Sequence, residues 1–181
     1  MSSYRLPEEF ETQNYYLRRP DVEDAAAIFA AYSSDATVTK YLTWLPHQNV
    51  SQTVAHLEAS NADWDQGKRY AFLAFHRDRR EVPLGMFDAR PAGFAVSYGY
   101  VLRASAWGQG CASEIMRRLV GHALSHRSVF RAEAFCDVEN TASARVLEKA
   151  GMSREGLLRR YLVHPNLSDE PRDCLVYSRV R

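Results

Sequence analysis

Apolar and polar positions change period several times along this chain, and each change marks an element. Tyr15 to Arg18 reads as a short strand. Pro20-Asp21-Val22-Glu23-Asp24 reads as a helix start: Asp21 is a candidate N-cap, and the acids after it suit the positive end of the helix dipole. That helix is expected through Ala25 to Tyr32, stopping near Ser33-Ser34. Leu45-Pro46-His47 breaks the chain, and Ser51 caps a second helix with Val54, Leu57 and Trp64 inward, closed by Gly67. Tyr70–His76, Pro83–Asp88 and Phe94–Leu102 are strands joined by short turns, which predicts an antiparallel meander.

Apolar residues then fall at Ala112, Ile115, Met116, Leu119, Val120, Ala123 and Leu124. This i, i+3, i+4, i+7 spacing is one face of an amphipathic helix. Arg131 to Cys136 reads as a strand, Asn140 to Ala150 as a helix closed by Gly151, and Leu157–Val163 and Cys174–Val180 as two last strands. The turn-rich stretch His164 to Pro171 joins those two. The order is β-α-α-β-β-β-α-β-α-β-β. The strand–helix–strand unit around Ala112 is expected as a right-handed parallel crossover in an otherwise antiparallel sheet. Residues 1–13 are polar and read as an irregular arm, so one α/β domain is expected over residues 1–181.

The composition narrows the function classes. An apolar fraction of 46% and a charged fraction of 25% over 181 residues suit a globular domain with a sizeable core. A net charge of +1, from 23 basic and 22 acidic residues, lacks the basic excess of a nucleic-acid binder. Cys111, Cys136 and Cys174 are odd in number and hold no CxxC pair, which suggests neither a disulfide framework nor a metal site. The start has no apolar core like that of a signal peptide, and no apolar run is long enough to cross a membrane, so a cytoplasmic location is expected.

Candidate chemistry begins at Trp107-Gly108-Gln109-Gly110-Cys111-Ala112-Ser113, a glycine-rich loop that opens a buried helix directly after a strand. A helix N-terminus presents unpaired N–H groups and partial positive charge, and two glycines let a ligand approach the backbone. The loop therefore suits a phosphate or pyrophosphate. It is not a P-loop, because no Gly-Lys-Ser/Thr follows, and Ser113 stands where a dinucleotide fingerprint needs its third glycine. A tight turn would also explain a lone Gly-x-Gly. A second cluster, Asn140-Thr141-Ala142-Ser143 with Leu147-Glu148-Lys149-Ala150-Gly151-Met152, is explained taken alone by helix capping.

Together the two clusters resemble the GNAT superfamily of acyl-CoA-dependent N-acyltransferases, over roughly residues 13 to 180. The superfamily's loop, Arg/Gln-x-x-Gly-x-Gly/Ala, is matched by Trp107 to Ala112, with Trp107 in place of Arg/Gln. The aromatic variant is similar to the RimJ/RimL-like branch of ribosomal-protein N-terminal acetyltransferases. Gly99-Tyr100-Val101-Leu102, Asn140-x-x-Ser143, Arg159-x-Tyr161 and Asp173-x-x-x-Tyr177 fit that branch too. The resemblance implies a mixed, mostly antiparallel seven-stranded sheet with about four helices, and a V-shaped splay between the 94–102 and 131–136 strands. It implies acetyl-CoA as co-substrate, with no metal. Main-chain N–H groups of Gly108, Gln109, Gly110, Cys111, Ala112 and Ser113 would hold the pyrophosphate, and the edge of Tyr100, Val101 and Leu102 would pair with the pantetheine amides. Asn140 would bond the pantetheine arm, and Arg117, Arg118, Arg145 or Lys149 would meet the 3′-phosphate.

The reaction so implied is direct attack of a primary amine, in the branch resembled a protein N-terminal α-amine, on the thioester. Ser143 is the implied donor to the departing thiolate, and a backbone N–H near Val101 or Leu102 the oxyanion donor. No Asp or Glu lies between residues 91 and 113, so this strand brings no carboxylate base. Tyr98, Asp88, Asp137 and Glu139 remain open as water-linked bases. Cys136 reads as a small buried residue rather than a nucleophile, because none of the six histidines is near it in sequence. His47 and His164 could face the acceptor, but a surface position is the better single reading of each. Trp44, Trp64, Phe72, Phe75 and Tyr70 read as core. The acceptor would be shaped by Thr39–Asn49 and His164–Arg172, which carry no acidic array for a polycation. A small-molecule amine acetyltransferase, a non-catalytic acyl-CoA sensor and a Rossmann-like nucleotide binder are the other readings, and a monomer or homodimer is equally compatible.

Overall fold

The computed structural model describes residues 4–181. Its strands are β1 (Glu9–Glu11), β2 (Tyr15–Arg18), β3 (Tyr70–His76), β4 (Gly85–Ala92), β5 (Ala95–Leu102), β6 (Arg131–Asp137), β7 (Ser153–Val163) and β8 (Pro171–Val180). They form one sheet in the order β1-β2-β3-β4-β5-β6-β8-β7. All neighbours are antiparallel except β5 and β6. A parallel pair needs a crossover rather than a hairpin, and helix α4 (Cys111–Ser125) supplies it. The remaining helices are α1 (Ala25–Ile28), α2 (Ala36–Thr39), α3 (Val50–Asp65) and α5 (Thr141–Lys149).

The sheet has eight strands, not the seven expected, because β1 lies inside the stretch read as an irregular arm. Only Phe10 of its three residues is buried, so the alternation covers one apolar position and leaves no period to read. Phe10 pairs with Leu17 and packs on Phe72, with ring centroids 5.2 Å apart. Residues 1–3 of the arm lie outside the described residues. The helices number five rather than about four, because α2 is a single turn, with Thr37 and Val38 N–H donating to the Asp35 carboxylate. Asp21 caps as expected, with Asp24 completing a capping box, but over the short turn Val22–Asp24. Asn49, not Ser51, caps α3 by accepting from Gln52 N–H. Strands β7 and β8 begin earlier than expected, at Ser153 and Pro171, where charged residues at exposed positions hide the alternation.

Both faces of the sheet are covered in its first half. Tyr15, Leu17, Phe72, Phe87 and Tyr98 pack on Ile115, Met116, Leu119 and Val120 of α4. On the other face Tyr16, Leu73, Phe75 and Met86 pack on Ile28, Tyr32 and Leu57. This explains why β3 is apolar without alternation: six of its seven residues are buried.

The feature that shapes the site is where β5 and β6 part. Their pairing runs from Ala95↔Arg131 to Tyr98↔Ala134 and stops. Beyond it β5 stays paired to β4 through Leu102↔Gly85, and β6 stays paired to β8 through Asp137↔Cys174. Each strand follows its own partner, so the facing edges of Gly99–Leu102 and Phe135–Asp137 open into the expected V. Gly85 permits the tight β4–β5 approach, since a Cβ there would overlap the Val101 carbonyl oxygen and sit 2.8 Å from Leu102 Cα.

Candidate active site

The loop between β5 and α4 is built from main chain. Gly108 and Gly110 have φ of 73° and 83°, values an L side chain adopts at a cost. A Cβ at either would meet nothing within 4 Å, so backbone conformation, not crowding, requires glycine, and the space outside the loop is open. Gly110 is the N-cap of α4 and brings no side-chain cap. Among the described residues, no main-chain N–H from Gly108 to Ser113 has a protein acceptor; the next, Glu114 N–H, donates to Gly110 O at 3.0 Å. The side chains of Cys111, Ala112 and Ser113 are buried, and with Gly110 these residues line the cleft. Uncapped N–H groups with the helix dipole behind them fit a pyrophosphate.

Side chains brace this loop from behind. Trp107 Nε1–H donates to Leu102 O at 2.8 Å, and Gln109 Nε2–H to Ser105 O at 2.7 Å. Asn14, in the β1–β2 turn, donates from its N–H and Nδ2–H to the Glu114 carboxylate at 2.9 and 2.8 Å. Burial opposes ionisation of Glu114, but hydrogen bonds from Thr12 and Asn14 outweigh it and hold the carboxyl below its ordinary range. Trp107 thus has a local structural use in place of the Arg/Gln of the general pattern. Of the four cations considered for the 3′-phosphate, Arg117 donates to Lys149 O at 2.5 Å and Arg118 lies over the Phe10 ring at 5.2 Å. Arg145 and Lys149 line the cleft.

At the mouth of the V, Tyr100 and Ser143 meet. The Tyr100 hydroxyl is 2.8 Å from Ser143 Oγ and 3.4 Å from Ser143 O. Tyr100 stacks on Phe87, centroids 5.7 Å apart, and burial lifts its phenol far above the ordinary value. It stays a neutral donor near pH 7. Ser143 is placed by Asn140, the N-cap of α5, whose Oδ1 accepts Ser143 N–H at 3.1 Å; the Asn140 amide N–H₂ keeps its donors. Cys136 lies beside them, 6% exposed, and burial pushes its thiol up to about 11. A thiol so held is not a ready nucleophile.

A cleft of about 800 Å³ runs from the loop through the V to the α1–α3 face of the sheet. There it is walled by Trp44, His47 and His56, with Trp44 and His47 centroids 5.0 Å apart. His47 Nδ1 is 2.8 Å from Thr53 Oγ1. Arg69 donates to His56 Nε2 at 3.3 Å, and burial, with that guanidinium beside it, pushes His56 down to about 4. Asp88 Oδ2 receives both Arg90 Nη2 at 2.6 Å and Arg69 Nη2 at 3.0 Å. Asn166 Nδ2–H donates to Thr39 O and Trp44 O, both at 2.8 Å, so the two stretches expected to shape the acceptor are tied together over the cleft.

Three readings from sequence are corrected. Trp44 is not core but cleft wall, whereas Trp64, Tyr70, Phe72 and Phe75 are buried. His47 lines the cleft rather than the surface. His164 is 4% exposed, its Nε2 lying 3.8 Å from Cys174 Sγ and 3.9 Å from Asp137 Oδ2. Arg69, Arg90 and the Tyr100 hydroxyl were not singled out from sequence. Among the described residues no group of three or more His, Cys, Asp or Glu could hold a metal ion, and no helix is long and apolar enough to cross a membrane.

Comparison with known proteins agrees with this geometry. A family model described as "Acetyltransferase (GNAT) domain" matches residues 14–153. The Uncharacterized N-acetyltransferase YoaA of Bacillus subtilis (strain 168) is 29% identical over 173 residues, covering 94% of this chain and 96% of that protein. Among solved structures, RimL, a ribosomal L7/L12 alpha-N-protein acetyltransferase in complex with coenzyme A, superposes with TM-score 0.81 at 21% identity, covering 96% of this chain and 98% of that one. The Microcin C7 self immunity acetyltransferase MccE, in complex with acetyl-CoA and AMP, superposes with TM-score 0.85 at 20% identity, covering 97% and 98%. These two likenesses concern the fold.

Proposed function

Since the chain belongs to the GNAT acetyltransferase family, we propose that this acetyl-CoA-dependent N-acetyltransferase acts on the α-amine of a peptide or protein N-terminus, as one catalytic domain. The observation that carries the reading is the end of β5–β6 pairing at Tyr98↔Ala134. It leaves a bare strand edge beside an uncapped helix N-terminus and opposite Ser143. Acetyl-CoA supplies an activated acetyl thioester. The N–H groups of Gly108 to Ser113 hold its pyrophosphate, the edge of Tyr100, Val101 and Leu102 receives the pantetheine amides, and the Asn140 amide N–H₂ orients the arm.

Ser143 donates a proton to the departing sulfur while Tyr100, in hydrogen-bond reach of Ser143 Oγ, donates to Ser143. The proton that the amine releases on forming the amide returns through solvent to restore the pair, so that Tyr100 ends neutral. A main-chain N–H of Val101 or Leu102 receives the oxyanion. Asp88 Oδ2 already faces the guanidinium groups of Arg69 and Arg90. An α-amine, with pKa about 8, is partly neutral at pH 7 and needs little help, whereas a lysine amine, near about 10.4, would need a strong base. Placement of the neutral amine then contributes most of the acceleration. RimL is a ribosomal-protein alpha-N acetyltransferase of the same fold, which supports an α-amine acceptor here.

A thermal-shift titration with acetyl-CoA, CoA, NAD and ATP tests the cofactor site. A ligand at about 100 times its Kd adds about 2.7 kcal/mol, a rise of several degrees for a domain of this size. Acetyl-CoA and CoA are expected to give it, and NAD and ATP are not.

A further inference from the structure

We propose that the acceptor carries a carboxylate about one residue from its reacting α-amine, and that Arg90 recognises it; the inference rests on the α-amine reading above. Asp88 is the one acidic side chain lining the cleft among the described residues, against Lys40, Arg69, Arg90, Arg145 and Lys149. Arg145 and Lys149 lie on α5. The acceptor half therefore holds three cations, Lys40, Arg69 and Arg90, against one carboxylate. That balance repels a polycation and attracts an anion.

Arg90 is the surplus charge. The Arg69 side chain is 17% exposed, and it bonds both Asp88 and His56, so Asp88 is already neutralised within the protein. Arg90 is 47% exposed and uses only Nη2 on Asp88, leaving Nη1 and Nε without protein partners among the described residues. Its guanidinium lies over Gly99: a Cβ there would sit 3.3 Å from Arg90 Nη1, so the bare glycine lets the guanidinium lie close to the strand, and a side chain there would push it out by a few tenths of an ångström. Gly99 is the register partner of Asp88 and lies two residues before Val101, the edge at which the thioester is placed. Two strand residues span about 7 Å. An α-carboxylate is closer than that to its own amine. The side-chain carboxylate of Asp or Glu at the first or second position of a peptide matches the separation, and a guanidinium fork suits it.

The test is thiol release from acetyl-CoA by the full chain with three C-terminally amidated peptides, Ala-Asp-Ala-Ala, Ala-Ala-Ala-Ala and Ala-Lys-Ala-Ala. The acidic peptide is expected to exceed the neutral one about tenfold in kcat/KM, the value of a partly exposed charged hydrogen bond, with the basic peptide lowest. Arg90→Glu is expected to invert that order, and Arg90→Lys to keep part of it. Added salt should narrow the preference. Equal rates for the three peptides, or an acidic preference unchanged in Arg90→Glu, would overturn the inference while the α-amine reading stands. No release from any of the three overturns both.

Discussion

The Tyr100 hydroxyl and Ser143 Oγ lie 2.8 Å apart, and this contact links β5 to α5 across the mouth of the V. It joins the two halves of the sheet where they have stopped pairing. As Ser143 gives its proton to the sulfur, Tyr100 donates to Ser143, and the proton released by the acylated amine restores the pair through solvent. Ser143→Ala is therefore expected to lower kcat about a hundredfold, the low end for a positioned acid, because a thiol of pKa about 8.5 leaves with modest help. Acetyl-CoA affinity should stay within about threefold. Tyr100→Phe should cost less, and the double variant no more than Ser143→Ala alone, since the two act as one unit. Unchanged kcat in Ser143→Ala contradicts the role.

Two glycines should respond differently to the same change. At Gly110 a Cβ has open space and only φ of 83° resists it, so Gly110→Ala should fold with a loss of about 1–2 kcal/mol, a few degrees in Tm, and bind acetyl-CoA more weakly. At Gly85 the Cβ would overlap the β5 backbone, so Gly85→Ala should lose far more stability. Thermal melts with and without acetyl-CoA separate the two.

His56 sets a pH dependence of stability. Burial and the Arg69 guanidinium lower its pKa from 6.5 to about 4. Below pH 6.5 the unfolded chain takes up a proton that the folded chain refuses until pH about 4. The stability contributed by neutral His56 is thus complete above pH 6.5 and is lost as pH falls from 6.5 to about 4, by at most ~1.4 kcal/mol per pH unit. His56→Gln should be less sensitive than the parent in that window. Parallel Tm curves for the two from pH 7 to pH 4.5 contradict this.

Much of this was legible because it is local. All seven apolar positions read from Ala112 to Leu124 are buried on α4, and a 3.6-residue period needs no partner to be seen. The loop read at Trp107–Ser113 stands where expected, between β5 and α4, and both its glycines have positive φ. What was hidden depends on other parts of the chain. Strand β1 has one buried residue and exists by pairing with β2. The Tyr100–Ser143 contact joins residues 43 apart. His164 is buried by Asp137 and Cys174, which come from β6 and β8. Arg90 did carry a signal: Asp88 and Arg90 alternate with apolar Phe87 and Ala89. The strand was expected to end at Asp88 and runs to Ala92, so the alternation was cut one step short.

Thiol release from acetyl-CoA, measured with one peptide carrying a free α-amine and the same peptide with that amine blocked and an internal lysine kept, tests the central claim most directly. Release and a mass gain of one acetyl group with the free peptide alone is the predicted result. Release with the blocked peptide at an equal or greater rate, or from neither peptide while acetyl-CoA raises the Tm, would contradict an N-terminal α-amine as the acceptor.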